Sequence, residues 1–148
     1  MKDRIYICHT YYHVYVTFLK ELKLRAEADP AKKAGAATLV LSKMSNNFGN
    51  LKSRVESTGL FEEVLEFDEK REDFFPELEK YREDTGSFLG NLKNRIRFTK
   101  EYARLEASYV PVDLRTYKDI YVYCDSDPIG YYLNQNHIRY HAVEDGLN

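Results

Sequence analysis

Short runs of β-branched and aromatic residues alternate with stretches of helical periodicity along most of this chain. The short runs are typical of buried strands, and the longer periodic stretches are typical of amphipathic helices. Five strands are predicted, at residues 4–8, 37–41, 63–67, 120–124 and 138–143. Strands that alternate with helices build a mainly parallel sheet with helices on both faces. The predicted fold is therefore an α/β, Rossmann-like three-layer domain.

The first predicted helix covers residues 11–25 and follows the first strand almost at once. Thr10 precedes it and is placed to cap its first turn. The helix carries an apolar stripe at helical spacing, formed by Tyr12, Val16, Leu19 and Leu22. Further helices are predicted at 48–57 and at 129–136, the latter after an Asp-Pro start signal.

The residues between the third and fourth strands, at about 70–110, are predicted to be a helical insertion into a single domain that spans 1–148. One helix is expected at 68–84, with a stripe formed by Phe74, Phe75, Leu78 and Tyr81. A second, at 88–109, is long and amphipathic and carries the basic residues Lys93, Arg95, Arg97 and Lys100. These residues could form a basic face, but an ordinary solvated helix surface is the favoured explanation of the same charges.

Composition narrows the class of protein. The formal net charge is −2 over 148 residues, so no global basic field favours nucleic acid as a partner. The two cysteines, Cys8 and Cys124, lie far apart in apolar runs, which is typical of a reduced compartment. Charged residues directly follow Met1, and no stretch is long and apolar enough to span a bilayer. A cytoplasmic protein is expected, with any membrane association peripheral and at the inner face.

Three predicted strand ends carry polar residues, and a parallel sheet brings all such ends to one edge, where ligands bind. The last of these ends is Glu144-Asp145-Gly146. A carboxylate on a turn after a buried strand can act as a general base, and the glycine lets a substrate approach closely. Asp-Gly is also a common turn dipeptide. Asp125-Ser126-Asp127, at the second end, is explained as a helix start, and Asp125 is a candidate for lining the same cleft.

The first strand end is followed by His9, Thr10, Tyr11 and His13, which are candidate substrate-binding residues. His9 and His13 are four residues apart and would share a helix face, a spacing that can bind a metal. No third ligand at a suitable spacing stands out, so no metal is expected. A histidine in this place is expected to hydrogen-bond a ligand or to cap the helix.

Several cofactor motifs are missing from the sequence. It contains no GxGxxG, no GxxxxGK[ST] and no GxSxG. These absences disfavour dinucleotide binding, P-loop ATP chemistry and an α/β-hydrolase. No cofactor is expected.

The two ends of the chain resemble a known family. Two segments are similar to parts of bacterial sialyltransferases. They are Ile5-Tyr6-Ile7-Cys8-His9-Thr10-Tyr11-Tyr12-His13-Val14 and Tyr140-His141-Ala142-Val143-Glu144-Asp145-Gly146-Leu147-Asn148. The nearest family is glycosyltransferase family 52, whose members sialylate lipooligosaccharide and capsule. The order and spacing of the predicted strands and helices resemble the family over most of the chain, but only the two end segments match specifically in their residues.

The resemblance implies the N-terminal, acceptor-side half of a GT-B glycosyltransferase that uses CMP-sialic acid and needs no metal. Asp145 matches the general base of the family's acidic motif, Glu144 its first acid and Gly146 its glycine. The family's His-Pro motif, which belongs to the donor-binding half, does not occur in these 148 residues. That half is therefore expected to be absent, and the chain alone is expected to be inactive. The apolar face thus left uncovered favours a homodimer.

Three other functions remain open at this point. The same half could serve a GT-B enzyme with a UDP or GDP donor, because donor choice lies in the other half. A non-catalytic α/β binding module is a second alternative. A domain that serves mainly for association is the third, because 13 tyrosines and 8 phenylalanines suit interfaces as well as partly wet clefts.

Overall fold

The computed structural model describes residues 1–28, 36–45 and 47–143. Five parallel strands form one sheet in the order β3-β2-β1-β4-β5. The strands are β1 Lys2–Cys8, β2 Ala37–Ser42, β3 Glu63–Phe67, β4 Tyr117–Val122 and β5 His141–Ala142. The helices are α1 Tyr11–Glu27, α2 Leu51–Glu56, α3 Phe88–Glu106 and α4 Pro128–Gln135. The predicted α/β, Rossmann-like fold is confirmed.

Helices cover both faces of the sheet because the strand side chains alternate between two cores. Tyr6 and Cys8 of β1 point to the core beneath α1 and α2. Ile5 and Ile7 point the other way, to the core beneath α4. A third, smaller cluster of Phe75, Leu78 and Tyr102 packs α3 on the outside of α4.

Most of the apolar stripe predicted for α1 does not face the sheet, although Val16 is partly buried and packs on the core. Tyr12, Leu19 and Leu22 are exposed, and the buried face of α1 is formed by His13, Val14, Thr17 and Glu21. Polar contacts explain this orientation. Glu21 accepts two hydrogen bonds from the Arg4 guanidinium, at 2.8 and 2.9 Å. Such a buried, bidentate pair holds the helix by its polar face.

The prediction of a helix at 68–84 is wrong. Two short 3₁₀ turns, Glu72–Phe74 and Pro76–Tyr81, occupy that stretch. Pro76 has no N–H and forces the preceding Phe75 out of the helical region, to φ −110° and ψ 92°. A continuous helix through this point is therefore not formed. The second predicted helix is confirmed as α3, followed by a 3₁₀ turn at Ala107–Tyr109.

The end of the described chain forms one edge of the sheet, next to β4. β5 is shorter than the predicted strand at 138–143 and pairs with β4 only at Tyr121 and Val122. Val143 donates its N–H to the Val122 carbonyl, at 2.8 Å. None of the helices in the described ranges has the length and hydrophobicity to cross a bilayer.

Candidate functional site

The carboxyl edge of the sheet has a crevice between β1 and β4. The chain leaves β1 toward β2 on one side and leaves β4 toward β5 on the other. Connections that diverge in this way open a gap above the strand ends, which is where open α/β sheets bind ligands. The polar residues at this point are therefore the first candidates for a functional site.

A buried carboxylate lies beneath the crevice. Glu69 follows β3 by two residues, and its Oε1 atom accepts hydrogen bonds from His9 Nε2 at 2.6 Å and from Ser42 Oγ at 2.7 Å. Its Oε2 atom accepts the backbone N–H of Ile129, in the first turn of α4, at 2.8 Å. One carboxylate thus joins the ends of β1 and β2 to the N-terminus of α4, whose dipole favours a negative charge.

Next to this carboxylate, His9 is held in a fixed orientation. With its Nε2 hydrogen directed at Glu69, the Nδ1 atom of a neutral ring is an acceptor. That atom is buried and has no hydrogen-bond partner among the described residues. The second carboxylate near the ring is Asp127, whose Oδ2 atom lies 3.5 Å from His9 Nε2.

Asp127 connects the buried pair to solvent. Its side chain is 27% exposed, whereas the side chains of His9 and Glu69 are 2% and 0% exposed. Burial raises the pKa of Asp127, the nearby His9 opposes that rise, and Glu69 adds to it. A cavity of about 370 Å³ opens at this point. It is lined by Met44, Arg71, Glu72, Asp73, Tyr102, Ser126, Asp127, Pro128 and Tyr131. Aromatic rings with a few convergent polar groups are typical of small-molecule sites.

The remaining residues predicted at the end of β1 have different positions. The Thr10 hydroxyl accepts the His13 N–H at 3.1 Å, so Thr10 caps α1 as predicted. Tyr11 is exposed, with its ring edge-on to Phe48. His13 is buried and stacks on Tyr123, with the ring centroids 4.5 Å apart. Neither His9 nor His13 is open to a ligand in this conformation.

By distance alone, His9, His13 and Cys124 could hold a metal, since their potential ligand atoms lie within 4.8 Å of one another. The hydrogen bonding disfavours it. The Nδ1 atom of His13 accepts the backbone N–H of His9 at 3.0 Å, so a neutral His13 carries its proton on Nε2. Nε2 is the atom that faces Cys124 Sγ, at 4.0 Å. Metal-binding histidines donate, rather than accept, through their second nitrogen.

The predicted acidic residues are only partly described. Asp125 accepts the Tyr140 hydroxyl at 3.1 Å and lies toward β5, whereas Asp127 lines the cavity. Glu144, Asp145 and Gly146 lie outside the described residues. The residue before them, Val143, is bonded to the last residue of β4.

A larger cavity of about 630 Å³ lies elsewhere, beside Asp119, Arg139 and His141. It adjoins the start of β4 and the approach to β5, away from the strand carboxyl ends. We favour the smaller cavity as the functional site because it contains the partly buried Asp127 and adjoins the Glu69–His9 pair.

Sequence reasoning missed Glu69, and it explained the segment that contains Asp127 as a helix start that could also line the cleft. Glu69 stands in a segment so rich in charge that one buried acid has no distinguishing pattern. Its place, two residues after a strand end, was the available signal. No family model, curated protein or solved structure matches the chain.

Proposed function

We propose that this domain is the acceptor-side half of a glycosyltransferase that resembles bacterial sialyltransferases. The full enzyme would transfer sialic acid from CMP-sialic acid to a glycan acceptor in surface polysaccharide or lipooligosaccharide synthesis. The observation that carries the proposal is the arrangement of Glu69, His9 and Asp127 beside a cavity at the carboxyl edge of the sheet. The resemblance of the two chain ends supplies the reaction.

The cavity suits part of a glycan. Tyr102 and Tyr131 offer aromatic surface, and Asp127, Ser126 and Arg71 offer hydrogen-bonding groups of both kinds. We propose that Asp127 accepts a hydrogen bond from an acceptor hydroxyl. Because Glu69 holds His9, and His9 lies 3.5 Å from Asp127, the buried pair limits where that carboxylate can point. In this role His9 is a positioning residue.

The proposed reaction uses one base. The carboxylate of Asp145 takes the proton of the acceptor hydroxyl as its oxygen attacks the anomeric carbon of the donor. The bond from that carbon to the CMP phosphate oxygen breaks, and CMP leaves with the electron pair. Attack opposite the leaving group inverts the configuration. Support for placing the base here is that Val143, two residues earlier, lies beside the end of β4.

The test is Asp145→Asn in a protein that joins this domain to a donor-binding domain, with transfer from CMP-sialic acid as the readout. General-base catalysis contributes about 10²–10⁴-fold, so we expect a loss of that order. The matched control is Asp119→Asn, an exposed carboxylate near the other end of β4, which should leave turnover unchanged. Near-normal turnover in a folded Asp145→Asn variant removes the base role.

The donor is tested separately by thermal unfolding of a full-length protein that contains both halves, in the presence of CMP, UDP or GDP. Under the proposal CMP raises the unfolding temperature most. A shift with UDP or GDP alone favours a GT-B enzyme with another donor. No shift with any of the three, together with no transfer, favours a non-catalytic binding module.

A further inference from the structure

We propose that the first three turns of α3 dock on an anionic membrane surface. The feature that leads to this inference is an apolar patch that the fold leaves exposed. Phe88, Leu89 and Ile96 are 82%, 71% and 59% exposed, and Leu92 beside them is also exposed. Contiguous large apolar side chains on a surface mark an interaction site rather than ordinary exposure.

The patch has the geometry of one helix face. Phe88, Leu92 and Ile96 are spaced four residues apart, and with Leu89 they share an arc of about 100° on the helix surface. Lys93, Arg97 and Lys100 lie over about the next 80° of the same side. We call these seven residues the α3 docking face. The C-terminal turns of α3, which follow the docking face, hold the helix on the protein through the buried Tyr102 and Ala103.

Charge decides the kind of partner. Residues 88–100 contain four basic and no acidic side chains, in a chain whose formal net charge is −2. No salt bridge among the described residues uses Lys93, Arg95, Arg97 or Lys100. Their charges are therefore available to an external anion. Three of these charges, on Lys93, Arg97 and Lys100, belong to the α3 docking face, and in an otherwise slightly acidic protein they favour an anionic surface by complementarity.

An apolar arc bordered by Lys and Arg is the pattern of a helix that lies in a membrane interface. The apolar side chains enter the acyl boundary while the long basic side chains reach the headgroups. A nucleic acid would use the basic residues but leave Phe88 and Leu92 in water. The anionic lipid bilayer is the partner that uses both parts of the face.

Another helix provides an internal comparison. α1 also exposes apolar side chains, among them Tyr15 and Leu19. Beside them, Lys20 has its Nζ atom 3.3 Å from the centre of the Tyr121 ring, and the neighbouring Glu21 is bound to Arg4. Lys23, four residues after Leu19, is exposed. The α1 face therefore has exposed apolar area bordered by Lys23, against three basic residues on the α3 docking face, and it serves as the control surface.

The absence of tryptophan from the sequence makes the test direct. Phe88→Trp places a single fluorophore on the α3 docking face, and Tyr15→Trp places one on α1. Each full-length variant is titrated with vesicles of phosphatidylcholine alone and of phosphatidylcholine mixed with phosphatidylglycerol. We expect a blue shift only for Phe88→Trp and only with the anionic vesicles, and we expect high salt to weaken it.

Two further changes, each made with Phe88→Trp as reporter, separate the contributions. Lys93→Gln with Arg97→Gln should weaken binding about fivefold for each charge removed. Leu92→Ser with Ile96→Ser should weaken it by at least a similar factor, whereas Leu19→Ser with Leu22→Ser on α1 should not. Unfolding curves establish that each variant is folded. Absence of a shift, an equal shift with neutral vesicles, or unchanged binding after loss of the charges overturns the proposal.

Discussion

The Nε2 atom of His9 lies 2.6 Å from the Oε1 atom of Glu69, and both side chains are buried. The same carboxylate accepts hydrogen bonds from the Ser42 hydroxyl and the Ile129 N–H. Three separate elements thus depend on one buried acceptor. Removing a member of such a buried network leaves donors without partners, which costs more than the bonds themselves contribute.

Glu69→Gln tests that dependence. The Gln oxygen can still accept the Ile129 N–H, but its NH2 group then faces His9 and Ser42, which must change from donors to acceptors or lose this partner. We expect a loss of about 2–4 kcal/mol in the free energy of unfolding, measured with urea. Glu63→Gln, whose exposed carboxylate lies 3.6 Å from Lys2 Nζ, is the control and should cost less than about 1 kcal/mol. Equal losses in the two variants would contradict a special role for Glu69.

Much of the fold followed from the sequence because each strand has a local pattern of apolar residues that identifies it. β1, β2 and β3 are apolar or alternating runs between polar turns, and all three were predicted. The sequence predicted the apolar stripe of α1 but did not predict that most of it is exposed. Periodicity identifies an apolar face but not what covers it, and here the Arg4–Glu21 pair orients the helix. The prediction of the site was incomplete for a similar reason, because the hydrogen-bond partners of Glu69 come from segments that are distant in the sequence.

Gly130→Ala is expected to disrupt the approach of α4 to the end of β4. A Cβ atom at position 130 would lie 1.6 Å from the carbonyl oxygen of Asp125. That oxygen belongs to the backbone and cannot rotate away, so α4 must shift. Overpacking of this kind costs about 3 kcal/mol, which urea unfolding should detect.

The control for Gly130 is Gly90→Ala in α3. There the nearest atom to a new Cβ is the exposed side-chain hydroxyl of Thr85, which can rotate away at the expense of its hydrogen bond to Asn91. Alanine also favours helix by up to about 1 kcal/mol over glycine. The net change should lie within about 1 kcal/mol, and a loss matching that of Gly130→Ala would show that the Asp125 contact is not the cause.

The two cysteines should react at different rates in the folded protein. Cys8 is buried, and burial raises the pKa of its thiol to about 12, so it has almost no thiolate at neutral pH. Cys124 is only partly buried, at the end of β4. An aromatic disulfide reagent should therefore modify Cys124 first and Cys8 only on unfolding. The variant Cys124→Ser should lose the early reaction, and its persistence would place the reactive thiol at Cys8.

Glu106 should make stability depend on pH. Its side chain is buried, Oε1 accepts the Lys70 N–H at 2.8 Å, and Oε2 has no partner among the described residues. Burial raises the pKa of Glu106 to about 8; the Lys70 N–H and ammonium oppose this rise, and the carboxylates of Glu69 and Asp68 add to it. The group is therefore mostly protonated at neutral pH.

Because the folded pKa lies above the unfolded value of 4.5, the contribution of Glu106 to stability is fully present below that value. It is lost as the pH rises toward and through about 8. Glu106→Gln keeps the acceptor for Lys70 but does not titrate. Between about pH 5 and about pH 8.5, the wild type should lose about 2–4 kcal/mol relative to this variant. Urea unfolding of both proteins at each pH cancels every other titrating group, and a constant difference would show that Glu106 ionises normally in the folded state.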